Sequence, residues 1–275
     1  MKKIIALALV VVMTLCVFAA CDDVNNDIEN DKLNESENVD TSADTTVDAS
    51  DDDADTPVLK MATNAAFPPY EYKEGEAFVG IDVEIATAIA EELGCKLEIV
   101  DMEFDSIITS VKQNETDFGM AGMTVTDERK EEVDFTYSYA TGIQSIIVVA
   151  DSDITTVDDL IGKKIGVQLG TTGDIYASGD YGDENVIKYG KGADAVIALK
   201  GGDVDAVIID NEPAKAFVAA NEGLKVLDTE YAVEDYAIAV NKGNTELLDK
   251  INTALEKLTA DGTIDGIIAK YISAE

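Results

Sequence analysis

Arg129 is the only arginine in a chain that contains nineteen lysines. It lies in the stretch GMTVTDERK, where Thr126 and the two following acids, Asp127 and Glu128, are typical of a helix start. A helix N-terminus disfavours cations, so a guanidinium there needs another partner. Its planar fork of N–H donors matches a carboxylate better than a lysine ammonium does. The alternative is a surface pair with a neighbouring acid, worth about 0–1 kcal/mol.

Three other loops carry groups that complement such a carboxylate site. Residues 64–70, NAAFPPY, form a proline-stiffened loop whose aromatic side chains either stack on a ligand or close the edge of the core. Residues 168–174, QLGTTGD, are typical of a strand end turning into a helix, where free N–H groups cradle an anion. Asp210, in IIDN, follows an apolar strand and either caps a helix or accepts from an ammonium group. These parts together predict a ligand with the zwitterionic outline of an α-amino acid.

The elements that position these loops alternate between strand and helix from Pro57 onwards. Helix periodicity is clear in DVEIATAIAEELG and TELLDKINTALEKLTADG, and strands are predicted at VLKMAT, KLEIVDM, TDFGMAG, IQSIIVVA, VDAVIIDNEP and YAIAV. Residues 64–80 between the first strand and the first helix are predicted as a loop. This alternation indicates an α/β protein with mainly parallel sheets, in which ligands bind beyond the carboxyl ends of the strands.

The N-terminal region is predicted to lie outside this fold. MKK followed by IIALALVVVMTLCVFAA is typical of a secretory signal, residues 1–20, and Phe18-Ala19-Ala20-Cys21 is similar to a bacterial lipoprotein signal in which Cys21 is lipidated. An ordinary signal cleaved after Ala20 is the alternative. Residues 22–56 carry fourteen acids and one lysine, so we expect residues 21–56 to form a disordered acidic tether.

Composition restricts the function classes. The formal net charge of −36 argues against nucleic acid and anionic membrane surfaces as partners. The chain has no histidine, and Cys95 is the only cysteine after Cys21, so neither an internal disulfide nor a metal site is predicted, and no cofactor. Cys95 is predicted to be a small buried hydrophobe. No other apolar run approaches the roughly 18–20 residues of a membrane span.

Several stretches resemble the extracellular solute-binding proteins of bacterial ABC importers for polar amino acids, in the branch that binds glutamine, histidine and arginine. The stretches, in family order, are ATNAAFPPYEY, FVGIDVEIATAIAEELG, DMEFDSIITSV, DFGMAGMTVTDERK, IGVQLGTTGD and DAVIIDNEP. The resemblance implies a two-lobed α/β fold of the type II periplasmic-binding-protein class, with two hinge crossovers and closure over the ligand. Lobe 1 would comprise residues 57–140 and 240–275, and lobe 2 residues 145–235. The hinges would lie near residues 140–144 and 236–239.

The resemblance also implies roles for individual residues. Arg129 would clamp the ligand carboxylate with help from Thr124 and the amide of Thr172, and Asp210 would accept from the α-ammonium group. The full set of implied ligand-binding residues is Asn64, Phe67, Phe104, Ala121, Gly122, Thr124, Arg129, Gln168, Thr171, Thr172 and Asp210.

Two of these positions bear on selectivity. Asn64 replaces an aspartate that relatives binding cationic side chains often carry, which favours a neutral polar ligand. Gln168 replaces a lysine found in some glutamine binders, which argues against glutamine itself. The amino acid therefore stays open.

The predicted function is a substrate-binding lipoprotein that captures a polar α-amino acid for an ABC importer. It would be a monomer on the extracellular face of the bacterial membrane, or in the periplasm of a Gram-negative cell, and its partners would be the importer's membrane subunits. A solute-binding-fold enzyme of the dehydratase type is the alternative, although no catalytic motif supports it. A receptor sensor domain, the third option, would need a transmembrane helix after residue 275.

Overall fold

The computed structural model describes residues 56–228 and 231–272. The predicted signal peptide, the lipidation site at Cys21 and all but the last residue of the tether lie outside the described residues. The strands are β1 Val58–Thr63, β2 Ala66–Phe67, β3 Glu71–Glu74, β4 Ala77–Val79, β5 Lys96–Asp101, β6 Phe118–Gly119, β7 Val133–Val149, β8 Ile165–Gln168, β9 Val186–Tyr189, β10 Ala206–Asp210, β11 Leu224–Val226 and β12 Ala232–Asn241. The α-helices are α1 Ile81–Glu92, α2 Ile107–Lys112, α3 Asp127–Glu132, α4 Thr172–Tyr181, α5 Gly192–Gly201, α6 Asn211–Ala220, α7 Thr245–Ala260 and α8 Thr263–Tyr271. This mixture confirms the predicted α/β class.

Nine strands of the described chain form one sheet in the order β5-β1-β6-β12-β7-β10-β8-β9, with β11 paired to β7. Strands β1, β5 and β6 are parallel to one another on one flank, and β8, β9 and β10 are parallel on the other. Between them, β7 and β12 run antiparallel to each other and pair with both flanks. Parallel pairing therefore holds for the flanks, as predicted, but the centre of the sheet is antiparallel.

The strands β7 and β12 connect the two flanks. The N-terminal part of β7 pairs with the C-terminal part of β12, and the register of this pair shifts between Tyr236 and Ala239. Both predicted hinges, residues 140–144 and 236–239, fall within these two strands. A shift in register locally disrupts the ladder and bends a strand, which is compatible with a hinge there.

The helices pack as their sequence periodicity predicts. Ile81, Ile85 and Ile89 of α1 are fully buried against the sheet because they recur every four residues on one face. In the long helix α7, Ile251 and Leu255 are buried in the same way. Both α7 and α8 contact α1, so the C-terminal segment returns to the part of the fold formed by the first strands.

The structure corrects four details of the predicted elements. Residues 64–80 are not a plain loop, because β2, β3 and β4 form a small antiparallel sheet in which β3 and β4 are joined by a turn at Gly75 with φ of 63°. The strand predicted at TDFGMAG is reduced to β6, since the chain turns at Gly122 with φ of 50°. Strand β7 begins at Val133, ten residues before the predicted start. Cys95 is half-buried and not fully buried.

Candidate functional site

All eleven predicted ligand-binding residues line one nearly closed cavity, whose volume is about 10 Å³. They come from the carboxyl ends of strands on both flanks of the sheet and from the segments that follow those ends. With a volume this small, the lining residues and not the free space define the site. The residues around the cavity are Asn64, Phe67, Glu71, Phe104, Ala121, Gly122, Thr124, Arg129, Gln168, Thr171, Thr172 and Asp210. The structure therefore brings the predicted set together and adds Glu71, and the binding role of the set stays a prediction.

Arg129 points into this cavity from the first turn of α3. Thr126 caps the helix as predicted, because its hydroxyl accepts from the Arg129 backbone N–H at 3.1 Å. The residues Asp127 and Glu128 are exposed, whereas Arg129 is only 7 % exposed. A surface ion pair with these neighbours is therefore not the role of the arginine.

The guanidinium of Arg129 joins the two flanks of the fold. Its Nη1 donates to the Thr124 carbonyl at 2.7 Å, and its Nη2 donates to the Gly170 carbonyl at 3.0 Å. The ring of Phe104 lies below it, with the guanidinium carbon 5.3 Å from the ring centre. Burial lowers the pKa of Arg129, while the nearby Glu234 and Asp210 oppose that shift, and a guanidinium stays protonated in proteins. A permanent buried cation therefore faces the cavity with N–H groups to spare.

The start of α4 supplies a second set of donors. Thr171 is the N-cap residue, and its hydroxyl accepts from the Asp174 N–H at 3.3 Å. Thr172 is the first helical residue, and the first N–H groups of a helix have no partner within it. An anion held by Arg129 would lie close to these amides and to the positive end of the helix, which favours negative charge.

Gly122 brings the backbone close to the aromatic wall. Its φ of 50° is unfavourable for other residues, and a Cβ atom there would lie 3.0 Å from the Phe67 ring. Its N–H donates to the buried carboxylate of Asp82 at 2.8 Å. The glycine is therefore required both by the turn and by the close contact with Phe67.

Asn64 and Gln168 meet across the cavity. The Gln168 amide donates to the Asn64 side-chain oxygen at 3.0 Å and to the Gly190 carbonyl at 3.2 Å. The Asn64 amide in turn donates to the Met102 carbonyl at 2.7 Å. Both N–H groups of Gln168 and one of the two N–H groups of Asn64 are thereby engaged by the protein. The oxygen of Gln168 stays available to accept from a ligand side chain that carries N–H groups.

Asp210 lies at the N-cap position of α6 but does not cap the helix with its side chain. Instead its carboxylate accepts a hydrogen bond from the hydroxyl of Tyr236. Burial raises the pKa of Asp210 to about 7, and the negative charge of Glu234 adds to this shift. The helix-cap alternative for Asp210 is therefore wrong. Its buried carboxyl group lies in the cavity wall, where a cationic group would stabilise its ionised form.

Glu71 and Asp82 form a buried carboxyl pair next to the cavity. Glu71 is 1 % exposed and Asp82 is fully buried, and one oxygen of each has no hydrogen-bond donor among the described residues. The other Asp82 oxygen accepts from Gly122 and from the hydroxyl of Tyr139 at 2.9 Å. Burial, followed by the charge of Asp82, raises the pKa of Glu71 well above its usual range, and burial raises that of Asp82 to about 6. Burial and the neighbouring carboxylate therefore favour the neutral form of Glu71.

The sequence analysis missed three polar residues at this site, namely Glu71, Gln144 and Glu234. Glu234 and Gln144 lie within strands β12 and β7, where alternation places them on the buried face. A polar residue on the apolar face of a strand is a readable signal, since burying it requires partners. Glu71 was missed because residues 64–80 were predicted to form a loop.

Other functional classes find little support in the described residues. No group of three or more potential metal-ligating side chains is arranged there to hold a metal ion. No helix within residues 56–228 and 231–272 is long and apolar enough to cross a membrane.

Comparison with known proteins gives consistent results. Residues 59–274 match the family described as bacterial extracellular solute-binding proteins, family 3. The arginine-binding extracellular protein ArtP of Bacillus subtilis is 37 % identical over 227 residues, which cover 79 % of this chain and 87 % of ArtP. The matched family is one of solute-binding proteins, so the dehydratase alternative is not favoured.

Solved structures agree with this assignment. An ancestral arginine-binding protein bound to glutamine is 42 % identical with a TM-score of 0.76, covering 79 % of this chain and 98 % of the ancestral one. The arginine-, lysine-, histidine-binding protein ArtJ of Geobacillus stearothermophilus is 34 % identical with a TM-score of 0.76, covering 79 % of this chain and 96 % of ArtJ. The two-lobed α/β fold implied by the sequence is thereby confirmed. The chain belongs to the bacterial extracellular solute-binding proteins of family 3.

Proposed function

We propose that this protein captures a free α-amino acid for an ABC importer by closing two lobes around it. The observation that carries the proposal is the pairing of opposite charges in one enclosed cavity. The buried guanidinium of Arg129 and the start of α4 suit an α-carboxylate, and the buried carboxyl of Asp210 suits an α-ammonium group. Both charged groups of an amino acid thus find a buried partner of opposite sign.

The ligand side chain is proposed to be cationic, with arginine as the first candidate. Glu71 adds an acidic group to the cavity, and Gln168, whose two N–H groups are engaged, has its side-chain oxygen available. A guanidinium supplies N–H donors and a positive charge to this acidic side of the cavity. ArtP, the ancestral protein and ArtJ all carry arginine in their names. These observations outweigh the preference for a neutral ligand inferred from Asn64 alone.

The cellular setting follows from the N-terminal sequence and the family. We propose that Cys21 is lipidated, that residues 21–56 act as a tether, and that the binding protein works as a monomer without catalytic activity. The lobes would comprise residues 57–140 with 240–275, and residues 145–235, with hinges in β7 and β12. Its partners would be the importer's membrane subunits, on the extracellular face of the membrane or in the periplasm.

A thermal-shift screen of the purified protein against the twenty amino acids tests this function. A ligand present at 100 times its Kd stabilises the folded state by about 2.7 kcal/mol, and we expect the largest shift with arginine. Agmatine, which is arginine without the α-carboxylate, serves as the control and should give little shift.

The outcomes of the screen are distinct. The absence of a shift with any amino acid would contradict the amino-acid proposal. Shifts only with neutral amino acids would contradict the cationic part alone, and equal shifts with agmatine and arginine would contradict the carboxylate clamp.

A further inference from the structure

Glu234 is a buried acid that no part of the amino-acid clamp described above requires. It lies on β12 opposite Gly142 of β7 and is 5 % exposed. One of its carboxylate oxygens, Oε2, accepts three hydrogen bonds, from the Thr124 hydroxyl, the Thr172 hydroxyl and the Gln144 amide, each at 3.0 Å. A single oxygen atom thereby collects donors from three separate segments of the chain.

The two hydroxyl groups come from opposite sides of the cavity. Thr124 follows β6 on one flank of the sheet, and Thr172 begins α4 on the other. The opening of two lobes that the proposed function requires would separate these two segments, so that one carboxylate oxygen could no longer reach both hydroxyls. On that basis the three-way contact belongs to the closed arrangement.

The direction of these hydrogen bonds determines what the hydroxyls can do for a ligand. Each hydroxyl has one proton, and both protons are donated to Glu234. Toward the cavity, Thr124 and Thr172 can then only accept hydrogen bonds. This orientation suits the N–H groups of an α-ammonium and does not suit a carboxylate. With this orientation the Thr124 hydroxyl would serve the α-ammonium group, whereas the resemblance implies that Thr124 helps to clamp the carboxylate.

We infer that Glu234 is a positioning residue for ligand capture, which fixes the Thr124 and Thr172 hydroxyls as acceptors for the ligand's α-ammonium group and does so only when the cleft is closed. This inference rests on the proposed amino-acid function. Hydrogen bonds to a charged acceptor are stronger than those between neutral groups, so the carboxylate is the element that orients the hydroxyls. Its charge also lies near Arg129 and Asp210 and raises the pKa of both groups.

The substitution Glu234→Gln tests the inference with almost no change in shape. The glutamine can turn its amide toward the threonines, which frees their protons to point into the cavity. We expect Kd for L-arginine to rise about tenfold or more, mainly through faster dissociation. Asp235→Asn is the matched control, since it removes the same charge one residue further along, at an exposed position, and should leave Kd within twofold.

A second ligand shows whether weaker binding by Glu234→Gln comes from lost positioning of the hydroxyls or from a general structural defect. 5-Guanidinopentanoate is arginine without its α-amino group, so it makes no use of the oriented hydroxyls. In the wild-type protein we expect it to bind at least 100-fold more weakly than arginine, and in Glu234→Gln this ratio should shrink about tenfold. A structural defect would instead weaken both ligands equally and leave the ratio unchanged, which would overturn the inference.

A double-mutant cycle with Thr172→Val tests whether Glu234 acts through the Thr172 hydroxyl. If Glu234 acts through the hydroxyl, the effects of Thr172→Val and Glu234→Gln on arginine binding are strongly non-additive, whereas additive effects would overturn the inference. Melting of the empty variants shows whether they are folded, and Thr172→Ser, which keeps the hydroxyl, should restore binding. Failure of wild-type protein to bind any amino acid would refute the proposed function itself, an outcome distinct from an unchanged ligand ratio.

Discussion

The basic and the acidic parts of the cavity are stabilised in different ways. Arg129 cannot lose its proton, and the fold surrounds it with backbone carbonyls of Thr124 and Gly170. On the acidic side, burial raises the pKa of Asp210 in the cavity wall to about 7 and that of Asp82, next to the cavity, to about 6. Burial of a charge without a partner is costly, and a carboxyl group escapes that cost by taking up a proton.

This difference determines how ligand binding at each part of the cavity should depend on pH. The basic part keeps its charge whether or not a carboxylate is bound. Burial favours the protonated form of the acidic groups, and a cationic group of the ligand would favour their ionised form. Ligand binding at the basic part should therefore be insensitive to pH near neutrality, whereas binding at the acidic part should release protons and weaken as the pH falls.

Replacement of the basic group, Arg129, should have the largest effect on ligand binding. Arg129→Lys keeps the charge but loses the planar fork and its contacts to two carbonyls, so amino-acid binding should weaken by about 2 kcal/mol or more. Isothermal titration calorimetry measures this loss, with Lys130→Ala as the control because Lys130 is exposed and pairs only with Asp127. Near-equal affinities of wild type and Arg129→Lys would show that the guanidinium does not clamp a carboxylate.

Replacement within the acidic part should have a smaller and more selective effect. Glu71→Gln resembles the protonated acid in shape, so the empty protein should keep its stability. Binding of arginine should weaken by about 1.5 kcal/mol, roughly tenfold, through loss of a charged hydrogen-bond partner, and binding of a neutral amino acid should change much less. Glu74→Gln, an exposed position on the same strand, is the control. Equal losses for arginine and glutamine would contradict a cation site at Glu71.

The pH dependence of stability should show the smallest effect. Between the usual aspartate pKa of 3.8 and the folded values of about 6 and 7, the folded protein binds more protons than the unfolded chain. Its free energy of unfolding should therefore fall as the pH rises from the unfolded to the folded pKa values, and the last part of this fall, from pH 6 to pH 8, should be on the order of 1 kcal/mol.

Urea denaturation at several pH values measures this trend. Since the large negative charge of the chain adds a general dependence of the same sign, the informative quantity is the difference between wild type and Asp210→Asn. The slope should be shallower in the variant, and it should flatten in wild type when arginine is bound. Identical slopes in both proteins would contradict the raised pKa of Asp210.

Much of the fold and of the site was readable from the sequence. Local signals are strong where apolar periodicity or a cap decides the element, as in α1, α7 and the start of α3 at Thr126. They are weak where strands are short or lie next to turns, which explains why β2, β3 and β4 were predicted as loop. The antiparallel pairing of β7 with β12 depends on residues roughly 90 to 110 positions apart, which no local pattern reports.

The sequence by itself determined that Arg129 is exceptional, and its resemblance to a family named the eleven residues that surround one cavity. Only the tertiary structure decided which hydrogen-bonding groups of those residues are used in contacts with other protein groups. The hydroxyl groups of Thr124 and Thr172 donate to Glu234. The Gln168 amide donates to Asn64, and both amides also donate to backbone carbonyls. The carboxyl group of Glu71 lies beside that of Asp82. The physical reason is that a hydrogen-bonding group has a fixed number of protons and lone pairs. What it can offer a ligand depends on which neighbours the fold has already given it.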